Sequence, residues 1–436
     1  MATNLNIEVS PLSRVEGHGD LVLDVKNKKI EKLQFRIPES PRFFEAMLVG
    51  RKYDEPSHIT SRICGICSVA HTFTSIKATE AALGVKINDQ ILKLRKLVNH
   101  GEYIQSNCLH VYFLAAPDFL GVGSVIPLIK TNPDVVLIAV KMKKIANEIV
   151  RIIGGRAVHP ITTVVGGFTK LPAVDDLKNI KNMLLSLYPD LETSLKVLKT
   201  LRLPDFERET EYISITDKED YALYDGDLKS SDGWIIKPGN YLEKIKEKVV
   251  EHSTGKHCRA SRDCYMVGAL SRVNNNYEML SDNAKEYAGQ LGLTSPCYNT
   301  FMINIAQFVE IVHCVDDSIR LIDEILSDGL DESKATVPVR PRAGRGVGIV
   351  EAPRGTLIHD YTYDRNGRIA KANLIIPTNM NYANIEKDLE AFVPVIIDKT
   401  EDEVRFDCEM LIRAYDPCIS CSTHFLNVKL VNNQKV

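Results

Sequence analysis

Two pairs of cysteines, Cys64/Cys67 and Cys418/Cys421, share the spacing C-x-x-C. Thiolates are soft ligands, and a C-x-x-C turn aims both of its sulfurs at one ion, so the four sulfurs together suit a tetrahedral metal site. On donor type alone that site suits structural zinc. The separation argues against it. The two pairs of a zinc ribbon stand about 15 to 20 residues apart, whereas these stand near opposite ends of a 436-residue chain. An ion that joins the ends of a large protein is a poor staple for one small fold and a good reaction centre for its middle. The other six of the ten cysteines, Cys108, Cys258, Cys264, Cys297, Cys314 and Cys408, stand alone and are expected to be small buried hydrophobes. Ten in a chain of this length are too sparse for a secreted disulfide framework. Disulfide exchange is a second use for C-x-x-C, but it usually occupies a short thioredoxin-like βαβ unit, which this sequence does not show.

The elements that must bring the two pairs together read as mostly helix with some sheet. The opening, EVSPLSRVEGHGDLVLDV through KKIEKLQFRI, alternates apolar residues with turn chemistry and predicts a small N-terminal antiparallel β-sheet. Farther on the period changes. Ile305, Phe308, Val309, Val312, Ile319, Ile322 and Leu326 follow helical spacing up to Gly329, and KMKKIANEIVRIIGG behaves the same way. PVRPRAGRGVGIVEAPRG, Pro338 to Gly355, cannot be a regular helix and reads as a linker unless something packs on it. The expected fold is therefore α+β and predominantly α-helical: a central bundle of long helices, the N-terminal sheet and short additional strands. We expect a single large catalytic domain over residues 1–436, with a β region near 5–40, a helical core near 60–335, an irregular, ligand-bearing region near 336–424 and a C-terminal extension, 425–436.

Composition narrows the function. A net charge of -3 offers no basic field for nucleic acid. No basic-then-apolar leader opens the chain, and no apolar run is long enough to span a bilayer, so a cytoplasmic protein is expected. No G-x-G-x-x-G follows a strand to announce a dinucleotide site.

Around the cysteine pairs stand RICGICSVAH, Arg62 to His71, and DPCISCSTH, Asp416 to His424. In these stretches the sequence resembles the catalytic large subunit of nickel–iron hydrogenases, whose signatures are R-x-C-G-x-C-x-x-x-H and D-P-C-x-x-C-x-x-H. The likeness continues through SRVEGHG (13–19), RFFEAMLVGR (42–51), HPITTVVGG (159–167), EAPRG (351–355) and IIPTNMN (375–381). With EHSTGKH, MVGALSRVNNN and YDPCISC it looks most like the cytoplasmic, NAD(P)-linked sulfhydrogenase type.

The resemblance implies a set of roles. Cys64, Cys67, Cys418 and Cys421 would ligate nickel, with Cys67 and Cys421 bridging to an iron that carries cyanide and carbon monoxide. Cys418 would take the first proton and Glu16 relay it outward. Arg354 would stand over the open metal position, paired with Asp416. Thr378, after Pro377, would donate to an iron cyanide. Glu45, the Leu374 carbonyl and His424 would hold a magnesium or iron ion beneath the centre; the imidazole suits iron better than magnesium. Many relatives carry aspartate four residues before the histidine matched by His110, and here that position is Ser106. The tail Phe425–Val436 would be removed by a maturation protease after chaperones insert the metals. With both cysteine pairs committed to one centre, no set remains for an iron–sulfur cluster. Electrons would therefore leave through an iron–sulfur small subunit, and beyond it flavin and NAD(P) subunits. The rival within the wider family is a metal-binding or quinone-site scaffold, which is expected to lose the ligand cysteines; all four are here.

Overall fold

Strict alternation builds the first element. In a computed structural model, which describes residues 4–423, strand β1 (Leu5–Val9) buries every second side chain. β2 (Asp20–Lys26) lies between β1 and β3 (Lys29–Arg36), antiparallel to both, and turns into β3 at Asn27 and Lys28, both at positive φ. That left-handed pair matches the twist of the flanking strands. The expected N-terminal sheet is therefore present, and its apolar face, Leu21, Leu23 and Val25, joins the main core.

Helices supply that core. After the short α1 (Phe44–Leu48) come α2 (Ser68–Leu83), α3 (Asp89–Cys108), α4 (Pro133–Gly154) and α5 (Ile303–Asp328). The stripe from Ile305 to Leu326 lies on α5, which ends at Gly329 with φ at 76°, and the KMKKIANEIVRIIGG stripe lies on α4, which ends at Gly155 with φ at 81°. Both are core stripes, as the periodicity implies. α3 starts with the Asn88 side chain accepting from the Ile91 amide at 3.0 Å, and beyond its middle it is buried on nearly every side. Such burial leaves its polar residues to find partners inside, and a wider π turn over Leu109–Ala115 prolongs it. Residues are 48% helical and 18% in strands, which makes the class α+β with helix dominant.

The Pro/Gly/Arg segment is not a linker. Gly344–Ala352 forms β4, which pairs antiparallel with β5 (Gly355–Tyr363), itself paired with β6 (Ile369–Ile375). What packs on it is α2. A Cβ built on Gly348 would stand 2.1 Å from the Thr74 carbonyl oxygen, on Gly346 2.2 Å from that of Ala78, and on Gly344 2.3 Å from that of Ala82. Four helical residues advance about 6 Å and two strand residues about 6.8 Å, so the rows 74/78/82 and 348/346/344 stay in step. Backbone meets backbone, and only glycine leaves the room. The seam runs antiparallel and sets the end of β4 beside the start of α2, the place where Cys67 caps the helix.

Two further helices complete the frame. α6 (Pro377–Ile396) starts with proline in its first turn directly after β6, and α7 (Glu401–Ala414) starts at a capping box in which Thr400 and Glu403 exchange hydrogen bonds. α7 delivers the chain to Asp416 and the second cysteine pair.

His100 on α3 is buried, and burial pushes it down to about 4. Gly346→Val gives the sharper test of the frame. The clash with α2 has no flexible side chain to absorb it, so the variant should lose about 3 kcal/mol or more of stability. A lowered melting temperature in scanning calorimetry, with loss of soluble yield, is the expected result.

Candidate active site

The first cysteine pair sits where the chain enters α2. The Ile66 amide donates to Cys64 Sγ at 3.3 Å, and Cys67 is the residue before the first helical turn. A helix start favours negative charge, which suits thiolates. Two of its orphan amides, Val69 and Ala70, donate at 2.6 and 2.8 Å to the Glu102 carboxyl of α3. Burial pushes Glu102 up to about 8.

The second pair arrives through a turn in which Asp416 has φ at 51°. There the Ser13–Gly19 segment lies alongside: the Ile419 amide donates to the Glu16 carbonyl at 2.9 Å, and Glu16 forms a parallel bridge with Cys418. Gly17, at φ 84°, is required by this approach, since a Cβ would stand 2.8 Å from the Ser420 nitrogen.

All four sulfurs lie within 4.8 Å of one another and are buried. Cys418 Sγ is 2.8 Å from Cys421 Sγ and 3.5 Å from Cys64 Sγ, and Cys67 Sγ is 3.8 Å from Cys421 Sγ. All four cysteines are free thiols. Hydrogen bonds from Cys418, then Cys421 and Cys67, hold Cys64 well below the usual thiol range, while burial pushes Cys418 and Cys421 well above it. One thiolate is thus favoured at the expense of its neighbours. Only a cation in their midst permits all four to ionise.

Charged and polar groups surround the sulfurs. Glu16 Oε2, on a half-buried side chain, is 3.2 Å from Cys418 Sγ and accepts from the Ser420 amide at 3.1 Å. Arg354 Nε donates to the Asp416 carbonyl at 2.8 Å and to Asp416 Oδ1 at 3.0 Å, and Nη2 reaches the same Oδ1 at 2.8 Å. Burial opposes its charge, but Asp416 and the sulfurs outweigh that and raise its pKa further. Nη1 of Arg354 is buried with no hydrogen-bond partner among the described residues. Thr378 Oγ1 accepts from the Cys418 amide at 2.9 Å, which leaves the hydroxyl proton for another acceptor. Beside the sulfurs a small cavity is lined by Cys67, Cys421, Arg354, Pro377 and Thr378 with apolar walls including Leu357.

The residues of the expected second ion are only partly in view. Glu45 Oε1 accepts from the Leu374 amide at 2.8 Å, which places those two residues side by side. The Arg42 amide donates to the Thr423 carbonyl at 2.5 Å, bringing the end of the described chain to the same place. His424 and the tail Phe425–Val436 lie outside the described residues.

Other residues complete the site, and Gln307 and His359 among them have no pattern in the sequence to reveal them. Arg272, fully buried, donates to the carbonyls of Ala352 at 3.0 Å and Pro353 at 2.8 Å, fixing the turn that carries Arg354, while Glu310 and Glu351 balance its charge. His71 lines the cavity and meets His359 at 3.3 Å, which in turn meets Tyr361. Gln307 links Asp416 at 3.2 Å to His110 at 2.5 Å, and Ser106 Oγ is buried without a hydrogen-bond partner among the described residues. Of the lone cysteines, all but the half-buried Cys297 are buried, as expected of small hydrophobes.

The geometry meets its relatives here. The family profile described as nickel-dependent hydrogenase matches residues 42–133 and 203–424, both cysteine pairs included. The chain belongs to that family. The alpha subunit of sulfhydrogenase 1 from Pyrococcus furiosus is 35% identical over 433 residues, covering 97% of this chain and 99% of its own. The alpha subunit of sulfhydrogenase 2 from the same organism is 32% identical, covering 97% and 100%. An F420-non-reducing hydrogenase chain of Methanothermobacter marburgensis is also 32% identical, covering 98% and 96%. A solved NAD+-reducing [NiFe]-hydrogenase in the H2-reduced state superposes with a TM-score of 0.88 at 27% identity, covering 97% of this chain and 100% of that one. The chain is thus the catalytic component of a hydrogenase, an oxidoreductase acting on hydrogen, and its four-cysteine cluster supports a nickel–iron centre. The donor set, the orphaned Arg354 nitrogen and the cavity beside Cys67 and Cys421 fit such a centre.

Proposed function

We propose that this chain splits dihydrogen reversibly into protons and electrons, that Cys418 and Glu16 carry the first proton out, and that the electrons leave to an iron–sulfur small subunit. Cys64, Cys67, Cys418 and Cys421 would hold nickel, with Cys67 and Cys421 shared with an iron bearing cyanide and carbon monoxide. When bound, that centre supplies the Lewis acid that dihydrogen, a nonpolar and very weak acid, requires. The remaining tasks fall to side chains. The observation that carries the reading is the 3.2 Å contact between Cys418 Sγ and Glu16 Oε2. It joins the buried cluster to a carboxylate that is itself half-buried, so a proton on the sulfur has one short step to a group near the exterior. Arg354, kept charged by Asp416, offers its unpartnered Nη1 as a fixed cation in a site shielded from water, where it acts more strongly than in bulk. Pro377 and Thr378 would face the iron ligands, the Thr378 hydroxyl donating.

Glu45, the Leu374 carbonyl and His424 would hold the second ion, magnesium or iron. On this reading residues 1–436 are made as one catalytic domain, which loses Phe425–Val436 on maturation and acts in a cytoplasmic complex. Among the described residues no helix is long and apolar enough to cross a membrane. The likeness to an NAD+-reducing enzyme supports flavin and NAD(P) subunits as the next carriers. The quinone-site scaffold is disfavoured because all four thiols are kept, buried and unpaired.

Two substitutions separate the tasks. Glu16→Gln keeps the shape and should retain nickel and iron yet lose turnover and proton–deuterium exchange by about 100-fold or more. Arg354→Lys should also keep its metals, but slows the splitting step because an ammonium cannot reproduce the planar guanidinium. Normal isotope exchange in Glu16→Gln would move the relay to another group.

Closure of Cys418 and Cys421 over a centre already begun by Cys64 and Cys67 requires the C-terminus to be held open until the metals are seated. Phe425–Val436 would do this, and a protease would then cut after His424. The intact mass of active, nickel-loaded protein should end at His424; a mass that still includes Phe425–Val436 contradicts the processing step.

A further inference from the structure

Away from the four cysteines, His252, His257 and Glu386 form a second group whose ligand atoms lie within 4.8 Å of one another. His252 and His257 flank the turn STGK of the EHSTGKH stretch, and Glu386 comes from the middle of α6. His252 Nε2 stands 2.9 Å from Glu386 Oε1, and His257 Nε2 stands 3.5 Å from Glu386 Oε2.

An ordinary hydrogen-bonded trio explains only half of this. The His252 contact is a good hydrogen bond, and the Phe35 amide completes the same oxygen at 3.0 Å. The Nε2 of His257, however, is buried and has no hydrogen-bond partner in the described structure. Its distance to the carboxylate is long for a hydrogen bond. It suits two donors to one ion: ligands about 2.0–2.1 Å from a tetrahedral centre stand about 3.3–3.4 Å from each other. An imidazole nitrogen that is left without a hydrogen-bond partner can offer its lone pair to a cation. Lys248 opposes a positive ion there, while the Glu386 carboxylate favours one.

We infer that His252, His257 and Glu386 form a site for a divalent transition-metal ion, zinc by donor set, with water in the fourth position. Two imidazoles and one carboxylate are a known zinc set when one position is left open. The side chains are 20%, 19% and 13% exposed, enough for that water to enter. The ion would be a clamp between three segments. Glu386 belongs to α6 and holds the Phe35 amide of β3. Between the histidines, Ser253 Oγ accepts from the Ile37 amide at 3.1 Å, and Thr254 Oγ1 donates to the carbonyls of Ile37 and Glu39 at 2.9 and 2.8 Å. Closing the 252–257 turn onto α6 would therefore fix the strand that leads to Glu39, whose side chain accepts from the His18 amide and the Ser420 hydroxyl next to Glu16.

The test uses nickel-loaded enzyme in its isolated complex, so that the thiols are already occupied. It is treated with a mild chelator, desalted, titrated with Co2+ or Zn2+, and compared with a His252→Asn/His257→Asn variant. Wild type should take up one additional ion per chain, the Co2+ form showing visible d–d bands without thiolate charge-transfer bands, and its melting temperature should rise by several degrees. The double variant should lose the bands and the shift while keeping nickel and iron. No band or uptake by wild type at micromolar free ion would overturn the site, as would equal uptake by the variant. Should the double variant fold poorly, Glu386→Gln, which retains an acceptor for the Phe35 amide, should weaken Co2+ binding by about 10-fold or more; unchanged binding would also overturn the site.

Discussion

Four sulfur atoms from segments 354 residues apart are buried within 4.8 Å of each other with no disulfide among them. Like charges cannot be gathered in that way without a cation, and thiols alone gain little from such crowding. The rest of the fold supplies the two approaches to this point. The first pair is held at the mouth of α2, and the second is delivered from α7 through the turn at Asp416. The Ser13–Gly19 segment closes the gap between the cluster and the exterior.

A second constraint follows from burial. Arg354, Asp416 and Arg272 are all nearly or fully buried, and a buried charge is tolerated only when paired and hydrogen-bonded. Arg354 spends Nε and Nη2 on Asp416 and has Nη1 left over, so its charge is stabilised without the whole fork being used. Arg272 secures the backbone on which Arg354 stands, and Glu351 ties that same turn to the Ile215 amide and the Thr356 hydroxyl. The α2–β4 seam brings this turn to Cys67 with very little side chain between, so the cation's position relative to the sulfurs is set by backbone packing.

How much of this could be read beforehand depended on range. The N-terminal alternation and the stripes on α4 and α5 are local patterns, and they became the elements their periods imply. The cysteine pairs were legible because ligand type and spacing are chemistry written in the sequence, and the motifs around them carried Glu16, Arg354, Asp416 and Thr378. The segment around GRGVG read as irregular, since glycine has a poor strand propensity. What makes it a strand is a glycine row that fits Thr74, Ala78 and Ala82, roughly 270 residues earlier. Arg272, Glu102 and His359 act through tertiary partners with no sequence spacing to betray them. Cys418 and Glu16 were legible as residues, while Ser420 and the parallel pairing that sets their distances were not.

Metal content tests the central claim, that the four thiols exist to hold nickel beside iron. Wild-type protein purified without oxygen should contain nickel near one per chain with at least as much iron. Cys418→Ser should lose most of that nickel, because a hard hydroxyl replaces a soft thiolate. Zinc in the four-cysteine site of active wild type with no nickel present, or full nickel occupancy in Cys418→Ser, would contradict the account.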